Sequence, residues 1–377
     1  MKVLSIGSDR SLFADSEALG RVREYSSKVE FYHVIVFSKR NLGLIKKNEA
    51  NLYLYPTNSH TKLFYIFDAL ILSWKILSKE SNLNNWVVTV QDPFESGMVG
   101  WLIKLFFTIP LQVQVHTDFL STEFGGFLNS IRLLISGIVI KRSDGIRVVS
   151  SVIRDSVVKK YPLLEKKIEI LPIFVDIKSI LNFVPKKNIK EEFPNFNFII
   201  LMASRLTPEK RIDLAISALQ KITNIYPKTG LVICGSGPEK NKLVDLTDQL
   251  KVEQSVVFKD WQYDLISYFK TADMYLLTSE FEGYGMTLIE AAAAGIPIVS
   301  TSVGMAKTNM FKNGYNISIC KDMTYSCVAD EVMAVISNAE LRKKYIENAR
   351  TAVSSVAISR TEYVGRYIGL LEKLFNK

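Results

Sequence analysis

Short apolar runs alternate with longer helix-like segments along almost the whole chain. The runs are continuous in Val, Ile and Leu rather than alternating with polar residues, which is typical of parallel strands covered by helices on both faces. The predicted strands are Lys2–Ile6, Tyr32–Phe37, Asn51–Tyr55, Trp86–Gln91, Leu111–His116, Gly145–Val149, Ile168–Leu171, Phe198–Ala203, Gly230–Cys234, Val256–Lys259, Met274–Leu277 and Ile298–Ser300. We therefore expect an α/β protein with two Rossmann-like, doubly wound parallel sheets.

A stretch without periodicity divides the two series of strands. Residues 183–197 are charged and contain prolines, which is typical of a linker. We predict one domain over residues 1–182, a second over 198–357, and an amphipathic helix over 358–377. Two such domains facing one another leave a central cleft at the carboxyl ends of their strands, where ligands bind in this architecture.

The net charge changes the range of partners to consider. The chain of 377 residues carries a formal charge of +9. Its basic residues are dispersed in short doublets, and no nucleic-acid-binding motif accompanies them. We therefore predict no nucleic acid partner, and favour phosphate-bearing small substrates or loose attachment to anionic lipid headgroups.

Cysteine usage and hydropathy indicate a cytoplasmic protein. The three cysteines, Cys234, Cys320 and Cys327, form no C-x-x-C pair. The N-terminus does not have the pattern of a signal peptide, and no apolar run has the length of a membrane span. The segment 61–79 comes nearest to that length. Its charged residues Lys62, Asp68 and Lys75 predict a packed helix with one solvent-exposed edge.

Two further segments have the pattern of interfacial helices. Gly100–Ile109 and Phe127–Lys141 combine aliphatic residues with occasional cations, which suits peripheral contact with an anionic membrane. Buried helices have much the same periodicity, so the sequence leaves both interpretations open.

The most informative stretch is Ser279–Ser302, SEFEGYGMTLIEAAAAGIPIVSTS. It follows an apolar strand, passes through a turn with Gly283 and Gly285, and enters an Ala-rich helix. Glycines allow close backbone approach to a ligand, and the helix N-terminus presents free N–H groups to an anion. The carboxylates of Glu282 and Glu290 could accept hydrogen bonds from sugar hydroxyls.

This stretch resembles the E-x7-E element of family 4 retaining glycosyltransferases, which have the GT-B fold of two Rossmann-like domains. Other segments are similar to that family in the same order along the chain. They are QDPFESG (91–97), VHTDF (115–119), RVVSS (147–151), LPIFVD (171–176), RLTPEK (205–210), CGSGP (234–238), VFKDW (257–261) and TADMYLLTS (271–279).

The resemblance implies roles for individual residues of the second half. Arg205 and Lys210 would neutralise the diphosphate of a nucleotide sugar, Glu290 would hold the ribose, and Glu282 would bind the donor sugar. The family pattern places the remaining donor contacts at Gly235, Trp261, Gly283, Tyr284, Gly285, Met286, Thr287 and Leu288. The helix over 358–377 would pack back on the first domain.

The acceptor side is assigned to the first half. His116 would lie near the donor sugar and orient hydroxyls, with Asp118 either touching the acceptor or capping a turn. Asp92 either serves the acceptor site or caps the following helix. The family's Gly-Gly loop after the first strand is replaced by Gly7-Ser8-Asp9-Arg10, where Arg10 would supply a cation.

The resemblance also implies the kind of reaction. The chain lacks an Asp-x-Asp motif, so we expect no metal and no cofactor, and front-face attack on a hexose-type donor. The acceptor would be a saccharide or polyprenyl-linked sugar in cell-surface polysaccharide biosynthesis. A nucleotide-sugar 2-epimerase, a phosphorylase and a basic scaffold are the alternatives, and the presence of Arg205, Lys210, Glu282 and Glu290 together favours the transferase.

Overall fold

The computed structural model describes residues 1–121 and 126–375. The chain forms two compact units, one of Met1–Pro172 with Arg360–Lys377 and the other of Ile173–Ser359. The first continuous segment thus ends at Pro172 instead of at the predicted position 182.

Alternating strands and helices build the first unit. They are β1 (Lys2–Gly7), α1 (Glu17–Ser26), β2 (Phe31–Val36), β3 (Lys47–Glu49), β4 (Leu52–Pro56), α2 (Tyr65–Leu77), β5 (Trp86–Val90), α3 (Glu95–Phe107), β6 (Leu111–Val115), α4 (Phe127–Arg142), β7 (Gly145–Val148), α5 (Ser151–Lys160) and β8 (Ile168–Ile170). The strand order is β3-β4-β2-β1-β5-β6-β7-β8.

The second unit has the same alternation. Its elements are α6 (Ile177–Asn182), α7 (Ile189–Glu192), β9 (Phe198–Ala203), α8 (Ile212–Thr223), β10 (Thr229–Cys234), α9 (Lys240–Leu250), β11 (Val256–Lys259), α10 (Leu265–Thr271), β12 (Met274–Leu277), α11 (Met286–Ala294), β13 (Ile298–Thr301), β14 (Ser318–Cys320), α12 (Tyr325–Ser337) and α13 (Ala339–Ser354). The strand order is β11-β10-β9-β12-β13-β14.

The prediction of two doubly wound α/β sheets is confirmed, with one exception at an edge. All pairings in the second sheet are parallel, but β3 pairs with β4 in the antiparallel direction. The strand β3 is only three residues long and polar, so neither its length nor its composition marks it as a strand. A short, polar strand is a common solution for a sheet edge.

The predicted linker over 183–197 is partly helical and belongs to the second unit. The helix α7 lies inside it, and Asn188 caps α7 by accepting a hydrogen bond from the backbone N–H of Lys190. Just before it, Ile177 and Ile180 of α6 are buried, and α6 packs against α11 and α13. This apolar packing explains why the second unit begins earlier than the loss of periodicity suggests.

The last helix, α14 (Arg360–Glu372), belongs to the first unit. Tyr367 lies within hydrogen-bond distance of Tyr32, at 3.3 Å between the hydroxyl oxygens, and its ring stacks on Tyr25 with centroids 4.3 Å apart. Residues 376 and 377 of the predicted tail helix lie outside the described residues. The helix thus covers the sheet face on which α1 also packs.

The helix predicted within 61–79 is present as α2, but its exposed edge differs from the prediction. Tyr65, Ala69, Ser73 and Leu77 form its buried stripe. The exposed side carries Phe67 and Trp74 as well as the expected polar residues. Within the described residues, none of the helices combines the length and apolar character needed to cross a bilayer.

Candidate functional site

The predicted donor residues collect along one edge of the second sheet. Arg205 and Lys210 follow β9, Gly235 follows β10, Trp261 follows β11, and Glu282 follows β12. Because these strands are neighbours and parallel, their carboxyl ends meet at the same edge. Successive connections run in opposite directions from β9 and β12, which makes this position a topological switch point, the usual ligand site of doubly wound sheets.

An ion pair joins the two loops at the switch point. Lys210 Nζ lies 2.6 Å from Glu282 Oε1, and both side chains are only 12% exposed. The hydroxyl of Ser279 donates to the same oxygen over 2.7 Å. A carboxylate that accepts from two donors is held in one orientation, so Glu282 and Lys210 form a preorganised pair rather than two mobile surface charges.

Two hydroxyl side chains outside the predicted set hold these loops in place. Thr278 Oγ1 donates towards the carbonyl oxygens of Lys210 and Arg211, at 3.1 and 2.8 Å. Thr301 Oγ1 donates to the carbonyl of Ser279 over 2.6 Å. Thr278 follows β12 directly, at the end of the TADMYLLTS segment (271–279) that resembles the family. It ties the loop after β9 to the loop after β12, and Thr301 ties the end of β13 to the loop after β12.

The glycine-rich turn forms the N-terminus of α11. Gly285 precedes the helix with φ of +84°, a left-handed conformation that glycine adopts without a Cβ penalty. The backbone N–H of Met305 donates to the carbonyl of Tyr284 over 2.8 Å, and a Cβ on Gly304 would lie 2.6 Å from that same oxygen. The loop after β13 is therefore packed directly on the turn, and this packing requires glycine at 304.

Arg205 is held less firmly than Lys210. Its side chain is 69% exposed, and Nη2 lies 3.4 Å from Glu209 Oε1. Glu209 also accepts a 2.7 Å hydrogen bond from the Thr207 hydroxyl. The guanidinium thus lies at the protein surface, and among the described ion pairs only the long one with Glu209 restrains it.

The remaining donor candidates occupy different environments. Glu290 is half-buried on α11, and Trp261 is an exposed side chain in the loop after β11. A Cβ on Gly235 would lie 1.9 Å from the carbonyl oxygen of Ser204, so the close approach of the loops after β9 and β10 requires glycine there. In the turn, Gly283, Met286 and Thr287 are half-buried, while Tyr284, Gly285 and Leu288 are buried.

The acceptor-side candidates follow three neighbouring strands of the first sheet. Gly7 ends β1, Asp92 follows β5, and His116 and Asp118 follow β6. A Cβ at Gly7 would lie 2.1 Å from Gln91 Oε1, so glycine there allows the adjacent loop to pack. Arg10 donates to the carbonyl of Phe37 over 3.1 Å and to the hydroxyl of Tyr65 over 3.2 Å.

The two aspartates of this group make capping contacts. Asp92 Oδ1 accepts hydrogen bonds from the backbone N–H of Phe94 at 2.8 Å and of Ser96 at 3.3 Å, at the start of α3. Burial raises the pKa of Asp92 above its ordinary value. Asp118 Oδ1 accepts from the backbone N–H of Leu120 at 3.3 Å and from the hydroxyl of Ser156 at 2.8 Å. Of the alternatives left open by the sequence, these contacts favour capping for both residues.

His116 is a neutral imidazole at physiological pH. Burial, together with the positive charges of Arg147 and Arg21, lowers the pKa of His116 to about 3. A neutral ring has one N–H donor and one acceptor nitrogen, so it can orient a hydroxyl without carrying charge. His33 stacks on Tyr53 with ring centroids 4.7 Å apart, and burial lowers its pKa to about 4.

The depressed pKa of His116 predicts how stability depends on pH. In the unfolded chain the imidazole gains its proton near pH 6.5, whereas in the folded chain it does so only near pH 3. The unfolded state therefore binds more protons between these values, and stability falls as pH drops below about 6.5. We expect His116→Gln to remove about 1–2 kcal/mol of this acid destabilisation at pH 5, measured from urea unfolding at pH 7 and pH 5.

The exposed His60 provides the matched control for removing an imidazole. The quantity compared is the difference in unfolding free energy between pH 7 and pH 5. If His60→Gln and His116→Gln change this difference equally, burial of His116 does not cause the effect. His33→Gln is expected to act in the same direction as His116→Gln, because burial also depresses the pKa of His33.

Other kinds of chemistry find little support in the part of the chain that the structure describes. It contains no group of three or more His, Cys, Asp or Glu side chains arranged to hold a metal ion. Cys234, Cys320 and Cys327 are buried as free thiols. The polar groups gathered at the switch point are thus cations, carboxylates, hydroxyls and backbone N–H groups.

Comparison with known proteins shows which family the second unit resembles. Residues 184–352 match the family model of glycosyl transferases group 1. N-acetyl-alpha-D-glucosaminyl L-malate synthase of Bacillus anthracis is 27% identical over 204 residues, covering 51% of this chain and 53% of that protein. Alpha-monoglucosyldiacylglycerol synthase of Streptococcus pneumoniae is 25% identical over 228 residues, covering 57% and 51%. The matched part of the chain thus spans about half the length of these two relatives.

Solved structures show the same fold over the whole chain. Anabaena HepE, solved in complex with UDP and glucose, matches with a TM-score of 0.78 at 16% identity, covering 99% of this chain and 100% of that one. Sucrose-phosphate synthase of Thermosynechococcus elongatus matches with a TM-score of 0.81 at 17% identity and full coverage of both chains. The lipopolysaccharide glycosyltransferase WaaG matches with a TM-score of 0.72. Residues 184–352 therefore match the group 1 glycosyltransferases, and the chain has the GT-B fold.

Proposed function

We propose that this protein is a retaining, metal-independent glycosyltransferase that moves a hexose-type sugar from a nucleoside diphosphate to a saccharide or polyprenyl-linked acceptor. The observation that carries the proposal is the Lys210–Glu282 pair at the switch point of the second sheet. It places a cation and a hydroxyl-binding carboxylate beside a helix N-terminus, the combination that a nucleotide sugar requires.

The donor diphosphate is bound by positive groups of the protein. Lys210 and Arg205 neutralise its charge, and the backbone N–H groups at the start of α11 add the favourable end of the helix dipole. Fixed cations at the diphosphate stabilise the charge that develops on the leaving nucleotide, which is the role a metal has in other transferases. Glu282 binds donor-sugar hydroxyls with its carboxylate oxygens, and Glu290 holds the ribose.

Retention follows from attack on the face that the leaving group occupies. The acceptor oxygen forms a bond to the anomeric carbon as the bond from that carbon to the β-phosphate oxygen breaks. The acceptor's proton passes to the departing phosphate, so no protein nucleophile is needed. His116 of the first unit, neutral at physiological pH, orients acceptor hydroxyls in this proposal.

The names of similar proteins support the proposal that the acceptor is a cell-surface glycoconjugate. One relative is an alpha-monoglucosyldiacylglycerol synthase, another an O-antigen biosynthesis glycosyltransferase of Escherichia coli, and one structural neighbour is a lipopolysaccharide outer core galactosyltransferase. By analogy we assign this protein to glycoconjugate biosynthesis on the cytoplasmic side of a membrane, in peripheral contact with anionic lipid.

Nucleotide binding is tested by thermal unfolding with UDP, GDP, ADP and dTDP, each with and without EDTA. We expect one diphosphate at about 100 times its Kd to stabilise the protein by about 2.7 kcal/mol, because it binds only the folded state. For a domain of this size that is a rise in Tm of roughly 5–10 °C. UDP is the first candidate, since HepE is solved with UDP.

The controls test whether nucleotide binding depends on a metal ion or on the cationic side chains of the protein. EDTA should leave the shift unchanged, and Arg205→Ala should reduce it. Lys221→Met removes a half-exposed cation of the same unit that pairs with Asp330, and should keep the full shift. No shift with any diphosphate at millimolar concentration, in protein with a cooperative transition, would refute the donor site. Anomeric configuration of the product, measured by NMR, decides retention.

A further inference from the structure

Three neighbouring helices of the first unit expose large apolar side chains. The helix α3 packs against α2 on one side and α4 on the other. Phe67 of α2 is 61% exposed, Phe106 of α3 is 63% exposed, and Leu134 of α4 is 70% exposed. Together with Trp74, Ile131 and Ile138, which are also exposed, these side chains form an apolar face.

The exposed stripes of this face follow helical spacing. Phe67 and Trp74 lie two turns apart on α2, and Ile131, Leu134 and Ile138 recur every three or four residues on α4. Trp74 packs edge-on against Phe107, with ring centroids 4.9 Å apart, which links the surfaces of α2 and α3. Contiguous exposed apolar surface of this kind marks an interaction site more often than scattered single residues do.

A groove with a cationic rim adjoins the apolar face between α4 and α5. Leu133, Leu134 and Ile138 are its apolar lining, and the exposed cations Lys141, Arg142 and Lys160 line it beside Tyr161. Lys141 and Lys160 lie over the Tyr161 ring, with Nζ 5.4 and 5.9 Å from the centroid. The sequence of α4 contains no acidic residue. Among the described ion pairs, none involves these three cations.

The pattern selects among possible occupants. A second copy of this chain would bring one cationic rim against another, and like charges oppose such an interface. A nucleic acid would leave the aliphatic stripe in water, since bases stack on aromatic side chains and pair with polar ones. An anionic lipid surface matches both parts, because acyl chains cover the stripe and headgroup phosphates neutralise the rim.

We infer that the apolar face and the Lys141–Arg142–Lys160 rim form a docking surface for a bilayer containing anionic lipid. The aliphatic side chains of α4 enter the interface, and the three cations contact lipid phosphates. The inference rests on the peripheral membrane contact in the proposed function and specifies its location. Donor binding at the second sheet does not depend on it.

Vesicle co-sedimentation tests the surface with the full chain. Vesicles of phosphatidylcholine with phosphatidylglycerol should bind the protein, and binding should weaken as salt is raised. The variant Lys141→Gln/Arg142→Gln/Lys160→Gln should lose affinity on the order of 100-fold, at roughly fivefold for each cation. The variant Leu134→Asp/Ile138→Asp should lose at least about tenfold in vesicle affinity, because two apolar side chains no longer enter the lipid.

Matched controls lie on the second unit. Ile225 and Lys343 are exposed there, and Ile225→Asp and Lys343→Gln should bind vesicles as the unchanged protein does. Every variant is also tested for its Tm and its nucleotide-induced shift. Loss of vesicle binding with an intact nucleotide shift supports the surface separately from the transferase, while an unchanged protein that binds vesicles but shows no nucleotide shift counts against the donor site only.

Three results would overturn the inference. The first is equal binding of the α4 variants and the controls. The second is full displacement by inorganic phosphate at the same ionic strength, which would indicate a site for free phosphate instead of lipid. The third is a dimer in sedimentation velocity that Leu134→Asp/Ile138→Asp dissociates, which would assign the face to a second copy of this chain.

Discussion

Lys210→Met is expected to lower kcat for sugar transfer by about 10²–10³-fold. The substitution keeps the length of the aliphatic stem and removes the ammonium group, so charge on the departing diphosphate is no longer neutralised at this position. It also leaves Glu282 without its 2.6 Å cationic partner, at a side chain that is only 12% exposed. The measurement is initial-rate kinetics with the diphosphate sugar selected by thermal shift.

Two variants make this result specific. Lys221→Met removes a cation of α8 that pairs with Asp330, and it should keep the original rate. Glu282→Gln retains shape and the hydrogen bond from Ser279, and should reduce transfer with a smaller loss of nucleotide binding than Lys210→Met. A rate within threefold of the original in Lys210→Met, with normal saturation, would show that the ion pair is structural.

Arg147→Met is expected to destabilise the first unit strongly, because it removes the centre of a buried hydrogen-bond network. Arg147 is only 4% exposed and donates to the carbonyls of Leu171 and Pro172, to Gln114 Oε1 at 2.6 Å and to the hydroxyl of Tyr363 at 2.7 Å. Methionine fills much of the volume but leaves several buried acceptors without a donor. Each such group costs about 1–3 kcal/mol, so we expect a loss of about 3 kcal/mol or more in urea unfolding.

Arg23→Met is the matched control for this variant. Arg23 is half-exposed in an ion pair with Glu49, and such surface pairs contribute about 0–1 kcal/mol. Arg147→Lys should recover little stability, because an ammonium group cannot reproduce the planar fork of the guanidinium. Equal losses in Arg147→Met and Arg23→Met would contradict the role given to the buried network.

The sequence predicts the sheets well where apolar runs are continuous. The central strands Phe198–Ala203 and Met274–Leu277 have the predicted bounds, since strands buried on both faces are continuous apolar runs. The edge strand Val256–Lys259 also has its predicted bounds. The short edge strands β3 and β14 are absent from the predicted set. Their residues adopt extended backbone through pairing with β4 and β13, which three-residue patterns do not reveal.

The candidate site is predictable to the extent that one local segment contains it. Glu282, Gly283, Gly285 and Glu290 lie within nine residues, and their loop-to-helix pattern indicates anion and hydroxyl binding. Contacts between distant segments are not predictable in this way. The pairing of Lys210 with Glu282 spans 72 positions, and that of Arg147 with Tyr363 spans 216. Their geometry depends on strand order, which only the fold supplies.

The first unit is made from both ends of the chain, whereas the second is a single continuous segment. During synthesis on the ribosome, the second unit can therefore complete its core before the first. Until residues 360–377 emerge, Arg147 and Gln114 lack their contacts with Tyr363 and Tyr367, and the rings of Tyr25 and Tyr32 remain uncovered by α14. Completion of the first unit is thus coupled to translation of the segment that forms α14, so a chain released before this segment has a folded second unit and an unfinished first one.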